Sequence, residues 1–123
     1  MARARIKELY FDRGYLEAEV DPPLVRKDDR GHITITYKIR EGIRYRFGEI
    51  SLTGFTRYPE SELRKFVNAQ KGDLASQGTI EMSATRLADY YGKRGYPDTI
   101  ARPQLELDRN AGIATVKFVI KEG

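Results

Sequence analysis

Two stretches of this chain alternate apolar and polar residues, one in the first third and one near the end. In a strand, side chains two positions apart point to the same side of the sheet. This alternation therefore predicts two strands that each pack one face on a core. The predicted inward residues are Ile33, Ile35, Tyr37 and Ile39 in the first strand, and Ala114, Val116, Phe118 and Ile120 in the second.

Three other stretches have apolar residues at the three- to four-residue spacing of an amphipathic helix. The predicted helices run from residue 1 to Gly14, from Pro59 to Gly72, and from Ser76 to about Arg94. Ser76 is expected to be the N-cap of the third helix, because its hydroxyl can accept an unpaired backbone N–H. The residues at helical spacing are Ile6, Leu9, Tyr10 and Arg13; Leu63, Phe66 and Val67; and Ile80, Ala84, Leu87 and Tyr91.

Three more strands are predicted, and two of them contain proline. The stretch from Leu16 to Arg26 contains two prolines, and the stretch from 99 to 107 contains Pro103. Proline has no N–H for the ladder, so both strands should lie at a sheet edge. The strand from Ile43 to Thr53 changes its inward parity at Gly48, which predicts a β-bulge there.

The chain contains an internal repeat. Gly14 and Gly95 are 95 − 14 = 81 positions apart, and the same offset separates Glu41-Gly42 from Glu122-Gly123. A constant offset between two landmarks indicates a modular array without insertions. The four inward residues of the two alternating strands also match at this offset.

The repeated unit has the order strand, helix, helix, strand, strand. Residues 43–123 are expected to hold a complete copy, named here the second repeat. Residues 1–42, the first repeat, are expected to hold only the last helix and hairpin of a preceding copy. Helices and strands segregated in this way predict an α+β fold, in which two helices cover one face of a three-stranded mixed sheet.

Composition and charge add little to this picture. The chain is 40% hydrophobic and 33% charged, which is typical of a globular protein. It has no cysteine, so no disulfide, thiol nucleophile or thiolate metal site is expected. No apolar run reaches the roughly 20 residues of a membrane-spanning helix, and no signal peptide is expected at the start. The net charge of +4 favours anionic partners, but the charges are interleaved, which predicts a solvated surface.

Several short motifs occur in the same order in both repeats. In the second repeat they are Tyr45-Arg46-Phe47-Gly48-Glu49-Ile50 followed by Gly54, Leu87 to Tyr91 followed by Gly95-Tyr96, and Phe118 to Gly123. In the first they are Tyr10 followed by Gly14-Tyr15, and Ile39 to Gly42. In their order and spacing these motifs resemble those of the POTRA (polypeptide-transport-associated) family, the surface-antigen variable-number repeat. The caps and joints expected from them are Gly14, Tyr15, Gly42, Gly54, Gly95 and Tyr96.

The resemblance implies a scaffold on the periplasmic side of the bacterial outer membrane, in a parent protein that carries a membrane β-barrel. Such domains are thought to hold unfolded outer-membrane polypeptides and accessory periplasmic proteins by β-augmentation. In that mode a sheet edge takes an incoming strand through backbone hydrogen bonds. The resemblance implies no catalytic residue, cofactor or metal, so the chain is expected to be a binding module and not an enzyme.

The candidate binding edge lies beside the third predicted helix. Its residues are Thr99, Ile100, Ala101, Arg102, Gln104, Leu105, Glu106 and Leu107, with Arg102, Gln104 and Glu106 expected on the outer face. An open edge is a template for another strand, but prolines at an edge also prevent pairing. Both interpretations of Pro22, Pro23 and Pro103 stay open at this point.

Two other functions are consistent with the sequence. A small basic domain with exposed tyrosines could bind single-stranded nucleic acid by stacking. Most of its tyrosines occupy inward or cap positions, however, which favours core packing; they are Tyr10, Tyr37, Tyr45, Tyr90, Tyr91 and Tyr96. The chain could also be a passive spacer between other modules. In addition, the incomplete first repeat predicts that its strand Ile33 to Ile39 pairs with another chain, giving a homo-oligomer.

Other polar groups are expected to have no chemical role. His32 is the only histidine and begins a strand beside a turn, so it is expected at the surface. The runs Asp28-Asp29 and Asp108-x-Asn110-x-Gly112 have some character of a calcium loop. The twelfth position from Asp108 is Val119 where such a loop needs Glu, so both runs are expected to be hairpin turns.

Overall fold

The computed structural model describes residues 2–123, and its elements follow the predicted order. They are α1 (Ala2–Asp12), β1 (Glu19–Val20), β2 (Leu24–Lys27), β3 (Ile33–Thr36), β4 (Ile39–Arg40), β5 (Arg46–Thr53), α2 (Glu60–Leu63), a 3-10 helix (Arg64–Phe66), α3 (Gln77–Gly92), β6 (Ile100–Asp108) and β7 (Ile113–Lys121). None of the helices in this part of the chain is both long and apolar enough to cross a membrane.

The second repeat contains the predicted three-stranded mixed sheet. Its strand order is β5-β7-β6, with β7 parallel to β5 and antiparallel to β6. The register between β5 and β7 shifts between Phe47 and Ile50, which confirms the bulge at Gly48. A Cβ atom at Gly48 would lie 2.6 Å from Cγ2 of Ile113, so the close approach of β7 requires glycine there.

The core lies between this sheet and the helices that cover one of its faces. All four predicted inward residues of β7 are buried, with at most 3% of their surface exposed. The other large core side chains are Tyr45, Phe47, Leu63, Ile80, Leu87 and Tyr91. Burial of each large apolar side chain contributes about 1.5–3 kcal/mol. Packing of the alternate strand positions onto the helix stripes therefore holds the second repeat together.

The first helix of the second repeat is shorter than predicted. The sequence predicts a helix from Pro59 to Gly72, but α2 begins after Pro59 and the following 3-10 helix ends at Phe66. Val67 has an extended backbone, with φ −95° and ψ 108°. The N–H of Asn68 donates to Oγ of Ser83 on α3 (3.1 Å) and not to a helical carbonyl. This tertiary hydrogen bond replaces the helical one, and the chain leaves the helix before Gly72.

The hairpin of the first repeat is split into two short antiparallel pairs. β1 pairs with β4, and β2 pairs with β3. Pro22 and Pro23 lie at the break between β1 and β2. Two successive residues without N–H donors interrupt the ladder. The interruption of the strand from Leu16 to Arg26 at its prolines is therefore confirmed, whereas the prediction of one unbroken strand from His32 to Arg40 is wrong.

The first repeat also lacks the predicted core beneath its hairpin. Ile33 and Ile35 are predicted inward, but 63% and 56% of their surfaces are exposed. In the second repeat β5 and the helices cover the equivalent positions of β7, whereas no element within residues 2–123 covers β3 in this way. α1 likewise buries no residue, and Leu9 is 50% exposed. The inward assignments of Ile33, Ile35 and Leu9 are therefore wrong for this chain.

α1 and α3 end with the same cap geometry. Gly14 and Gly95 have φ of 93° and 94°, in the left-handed region. Tyr15 and Tyr96 return their N–H groups to the carbonyls five residues earlier, at 3.0 Å in each case. The repeat seen in the sequence is thus also a repeat of backbone geometry.

Direct contacts join the two repeats around Gly14. The N–H of Tyr45 donates to the Gly14 carbonyl at 2.7 Å. The carboxylate of Glu17 accepts hydrogen bonds from the guanidinium of Arg109 and from the hydroxyl of Tyr45. These hydrogen bonds, that of Arg109 first, lower the pKa of Glu17. The joint therefore lies beside the β6–β7 turn, at one end of the candidate edge.

Candidate protein-binding edge

β6 is the accessible edge of the sheet. Within residues 2–123 it pairs with β7 alone. The opposite edge, along β5, is covered: Phe47 donates its N–H to Asp73 and accepts the N–H of Gly72, both at 2.8 Å. Further along β5, the guanidinium of Arg64 donates to the carbonyl of Ile50 at 2.7 Å. An incoming strand therefore finds free backbone on β6 and not on the covered part of β5.

The register with β7 determines which backbone groups of β6 point outward. The carbonyl of Asp108 accepts the N–H of Gly112 at 2.8 Å, so Asp108 directs its polar backbone groups toward β7. These directions alternate along an antiparallel strand. The residues with outward N–H and C=O groups are therefore Ala101, Pro103, Leu105 and Leu107. Pro103 has no N–H, so the edge offers four acceptors and three donors.

The side chains of β6 form two rows. Ala101, Pro103 and Leu107 are half-buried on the core-facing side, next to α3, and Leu105 on the same side is 39% exposed. On the outer face the row is exposed and polar: Arg102, Gln104 and Glu106. Ile100 begins the strand and is exposed, whereas Thr99 lies before it and is buried. Its hydroxyl accepts the N–H of Gly123 at 3.3 Å, so Thr99 is not available to a partner.

The repeats and their motifs match a known family. The sequence model of POTRA, the surface antigen variable number repeat, matches residues 2–42 and residues 45–123. The chain belongs to the POTRA family. The family predicted from the motifs is thus confirmed.

Two relatives named for outer-membrane protein assembly match almost the whole POTRA chain. An outer membrane protein assembly factor of Treponema pallidum (strain Nichols) is 26% identical over 125 residues, covering 98% of this chain and 15% of that protein. The outer membrane protein assembly factor BamA of Neisseria meningitidis serogroup B is 25% identical over 118 residues, covering 94% of this chain and 15% of that protein. The chain therefore spans only 15% of the length of these relatives.

The fold is shared with solved POTRA domains. The crystal structure of Haemophilus influenzae BamA POTRA3-5 superposes with a TM-score of 0.84, at 19% sequence identity. The superposition covers 98% of this chain and 48% of that one. It therefore includes both repeats, and the predicted α+β fold is confirmed.

The POTRA motif at the end of β7 supplies a structural carboxylate. Glu122 accepts hydrogen bonds from the N–H and hydroxyl of Thr56 (3.1 and 2.6 Å), the N–H of Arg57 (3.0 Å) and the hydroxyl of Tyr91 (2.7 Å). Burial alone would raise the pKa of Glu122, but these four hydrogen bonds outweigh it and lower the pKa to about 2. Burial, and then the hydrogen bond to Glu122, raise the pKa of Tyr91. Glu122 thus connects β7, α3 and the β5–α2 loop of this POTRA domain.

The other polar candidates lie at the surface or in turns. His32 is exposed, with its Nδ1 3.2 Å from the carboxylate of Asp28. Asp28 and Asp108 each accept two backbone N–H groups of their own turns, as expected for hairpins. Residues 2–123 contain no group of three or more metal-ligating side chains. Three of the tyrosines considered for stacking on bases are buried: Tyr45, Tyr90 and Tyr91.

One surface of the POTRA domain was missed from the sequence. A groove of about 560 Å³ between the 3-10 helix and α3 is lined by Lys65, Arg86, Lys93 and Arg94 and by the rings of Phe66 and Tyr90. It is named here the basic groove. The available signal was the spacing of Arg86 and Lys93, about two helical turns, which places both on one face of α3.

Proposed function

We propose that the chain is part of the periplasmic scaffold of an outer-membrane protein assembly or translocation factor, and that β6 binds unfolded outer-membrane polypeptides or accessory proteins by β-augmentation. One observation carries the proposal: within residues 2–123 the outward backbone groups of β6 pair with no other strand, whereas the opposite edge of the sheet is covered at Phe47 and Ile50. The chain lies on the periplasmic side of the bacterial outer membrane, the location predicted from its motifs. Its parent protein carries a membrane β-barrel.

The side chains of β6 favour one kind of client. A strand added to β6 would place alternate residues beside exposed Leu105 and α3, and the others beside Arg102 and Glu106. A segment that alternates apolar and polar residues fits both rows. The strands of outer-membrane barrels alternate in this way.

Pro103 removes one hydrogen-bond donor from the β6 edge but leaves its other backbone groups available. It takes away one outward donor near the middle of β6, and the donors of Ala101, Leu105 and Leu107 remain. In the competing interpretation this single gap is enough to prevent pairing, and the domain is a spacer that sets the geometry between its neighbours. The two interpretations differ in whether a strand peptide binds.

The exposed hairpin of the first repeat favours association of two copies of this chain. Val25 pairs with Ile35, so both lie on the same face of the hairpin as Ile33. These three residues are 63%, 56% and 63% exposed, respectively. A second copy would remove this apolar surface from water. Light scattering should then show dimers that dissociate on dilution; a monomer at every accessible concentration contradicts association.

The binding function is tested by an NMR titration of isotope-labelled protein. The ligand is a peptide of about nine residues copied from an outer-membrane barrel strand. The control peptide has the same sequence with N-methyl groups on alternate residues, which removes its hydrogen-bond donors on one edge. We expect the unmodified peptide to shift the amide signals of residues 100–108 and of the adjoining face of α3, and the methylated peptide to shift neither.

Two other outcomes contradict binding at β6. Shifts confined to residues 33–39 would mean that the exposed hairpin of the first repeat takes the peptide. The absence of shifts at millimolar peptide would favour the spacer. Binding of a single-stranded oligonucleotide that weakens steeply with salt would instead support the nucleic-acid alternative.

A further inference from the structure

The basic groove concentrates most of the excess positive charge of the chain. Its lining contains four cations, Lys65, Arg86, Lys93 and Arg94, and one carboxylate, Asp89. The surplus of 4 − 1 = 3 positive charges compares with a net charge of +4 for all 123 residues. The charges that look interleaved along the sequence are therefore not evenly distributed over the folded surface.

Three of the four cations are free to bind an anion. Arg86 donates to the side-chain oxygen of Asn68 at 3.1 Å, and Arg94 donates to the carbonyl of Tyr90 at 3.1 Å. Both acceptors are neutral. Lys65 is paired with Glu62 at 3.1 Å, whereas no ion pair within residues 2–123 involves Arg86, Lys93 or Arg94. Their charge is available to a partner molecule.

The groove also has an aromatic floor. The rings of Phe66 and Tyr90 lie with centroids 4.9 Å apart, and the guanidinium of Arg94 lies 3.7 Å from the centroid of Tyr90. Tyr90 is buried, but Phe66 is only half-buried. The surface therefore combines an apolar contact with cations on both walls, and aromatic residues and Arg are enriched in protein–protein interfaces.

We propose that the basic groove binds an acidic segment of a partner protein, at a site separate from β6. Arg86 lies on α3 and Lys93, seven positions later, is its C-cap, which places the two about 10 Å apart along the helix axis. Carboxylates on successive turns or alternate residues of a peptide can reach both cations at this spacing. The guanidinium groups of Arg86 and Arg94 match the two oxygens of a carboxylate. An apolar residue between the carboxylates would contact Phe66.

The position of α3 keeps the two sites independent. One side of α3 contacts β6, and another contacts the 3-10 helix that forms the far wall of the groove. A client strand on β6 and an acidic segment in the groove would therefore bind at the same time. Through these two sites the domain would hold a client and an accessory protein together.

The test measures binding of a synthetic peptide with two glutamates on each side of a phenylalanine, and of its analogue with glutamines. The acidic peptide should shift the amide signals of residues 65–66 and 86–94, and its affinity should fall as salt is added. The double variant Arg86→Glu, Lys93→Glu should bind it about tenfold or more weakly, because two attractive charges become repulsive. The control Arg26→Glu, Lys38→Glu changes two exposed cations of the first repeat by the same total charge and should bind within about twofold of the unmodified chain.

Several results would overturn the proposal. They are equal binding of the glutamine analogue, equal weakening in the control variant, or shifts outside the groove. Inorganic phosphate, phosphatidylglycerol vesicles or an oligonucleotide that shifted the same amides at lower concentration would assign the groove to phosphate groups. The barrel-strand peptide is titrated into the same variants, and its binding to β6 should be unchanged. The experiment thereby distinguishes loss of acidic-peptide binding in the basic groove from loss of strand binding at β6.

Discussion

Replacement of Glu122 tests whether one carboxylate holds three parts of the second repeat together. Glu122 accepts four hydrogen bonds, from Thr56, Arg57 and Tyr91. Glu122→Gln keeps the shape and one acceptor oxygen but removes the charge. Glu122→Ala removes all four hydrogen bonds. Glu41, its counterpart in the first repeat, is exposed, so Glu41→Gln is a matched control.

The magnitudes follow from the partners of Glu122. Hydrogen bonds to a charged group contribute about 1.5–3 kcal/mol and neutral ones about 0.5–1.5, so Glu122→Gln should lower the free energy of unfolding by about 1–2 kcal/mol. The alanine variant leaves the hydroxyl of Tyr91 without its acceptor at a fully buried residue. An unsatisfied buried group costs about 1–3 kcal/mol. With the loss of the loop hydrogen bonds we expect about 2–4 kcal/mol in total. The Glu41 control should change by less than about 0.5 kcal/mol.

The assay is urea unfolding followed by circular dichroism at several pH values. The pKa of Glu122 is lowered in the folded chain from 4.5 to about 2. Its stabilisation is therefore fully present above about pH 4.5 and is lost as the pH falls toward 2. The difference between the unmodified chain and Glu122→Gln should shrink over the same interval. A difference that does not depend on pH, or an alanine variant as stable as the Glu41 control, would contradict this structural role of Glu122.

Four further substitutions test features of the second repeat. Gly54→Ala should lower the free energy of unfolding by more than about 2 kcal/mol, because its φ is 84° and its Cβ would lie 2.1 Å from the carbonyl oxygen of Ile120. Gly72→Ala, with φ 94° but no atom within 4 Å, should cost only about 1–2 kcal/mol; equal losses would mean that the steric contact is unimportant. Ser76→Ala should cost about 1 kcal/mol in thermal unfolding, since Ser76 caps α3 through the N–H of Thr79; no loss would argue against the cap. Burial, and then the hydrogen bond to Glu17, raise the pKa of Tyr45, and the pKa of Tyr91 is raised as well. An alkaline absorbance titration should therefore show late-titrating tyrosines, with one fewer of them in Tyr45→Phe; an unchanged number would contradict the shift at Tyr45.

Much of the second repeat could be predicted from local sequence, because its local signals and its tertiary packing agree. The alternation around Val116 and Phe118 gave the inward face of β7, and the parity change at Gly48 gave the bulge. Pro103 correctly indicated an edge strand. Each of these features depends on neighbours within a few residues.

The errors arose where a distant residue decides the local structure. α2 is short because the N–H of Asn68 bonds to Ser83, 15 positions away. Ile33 and Ile35 have the alternation of a buried strand, but alternation shows which face is apolar and not what covers it. The inward assignment of Leu9 on α1 is wrong for the same reason.

Only part of the candidate binding site could be predicted from the sequence. The strand was predicted, but the outward direction of Leu105 depends on its register with β7. That β6 is the accessible edge depends on the loop at Gly72 and Asp73, which covers β5. The basic groove brings Lys65 next to Arg86 and Lys93 only after the 3-10 helix packs on α3.

The most direct test of β-augmentation compares single donors on β6. Fluorescence anisotropy would measure the affinity of the barrel-strand peptide for the unmodified chain, Pro103→Val, Leu105→Pro and the side-chain control Leu105→Ala. Restoring the N–H at position 103 should strengthen binding roughly two- to tenfold, and removing it at Leu105 should weaken binding by a similar factor relative to Leu105→Ala. Equal affinities for all four folded proteins would contradict strand addition at β6. Binding by Pro103→Val alone would mean that Pro103 closes the edge.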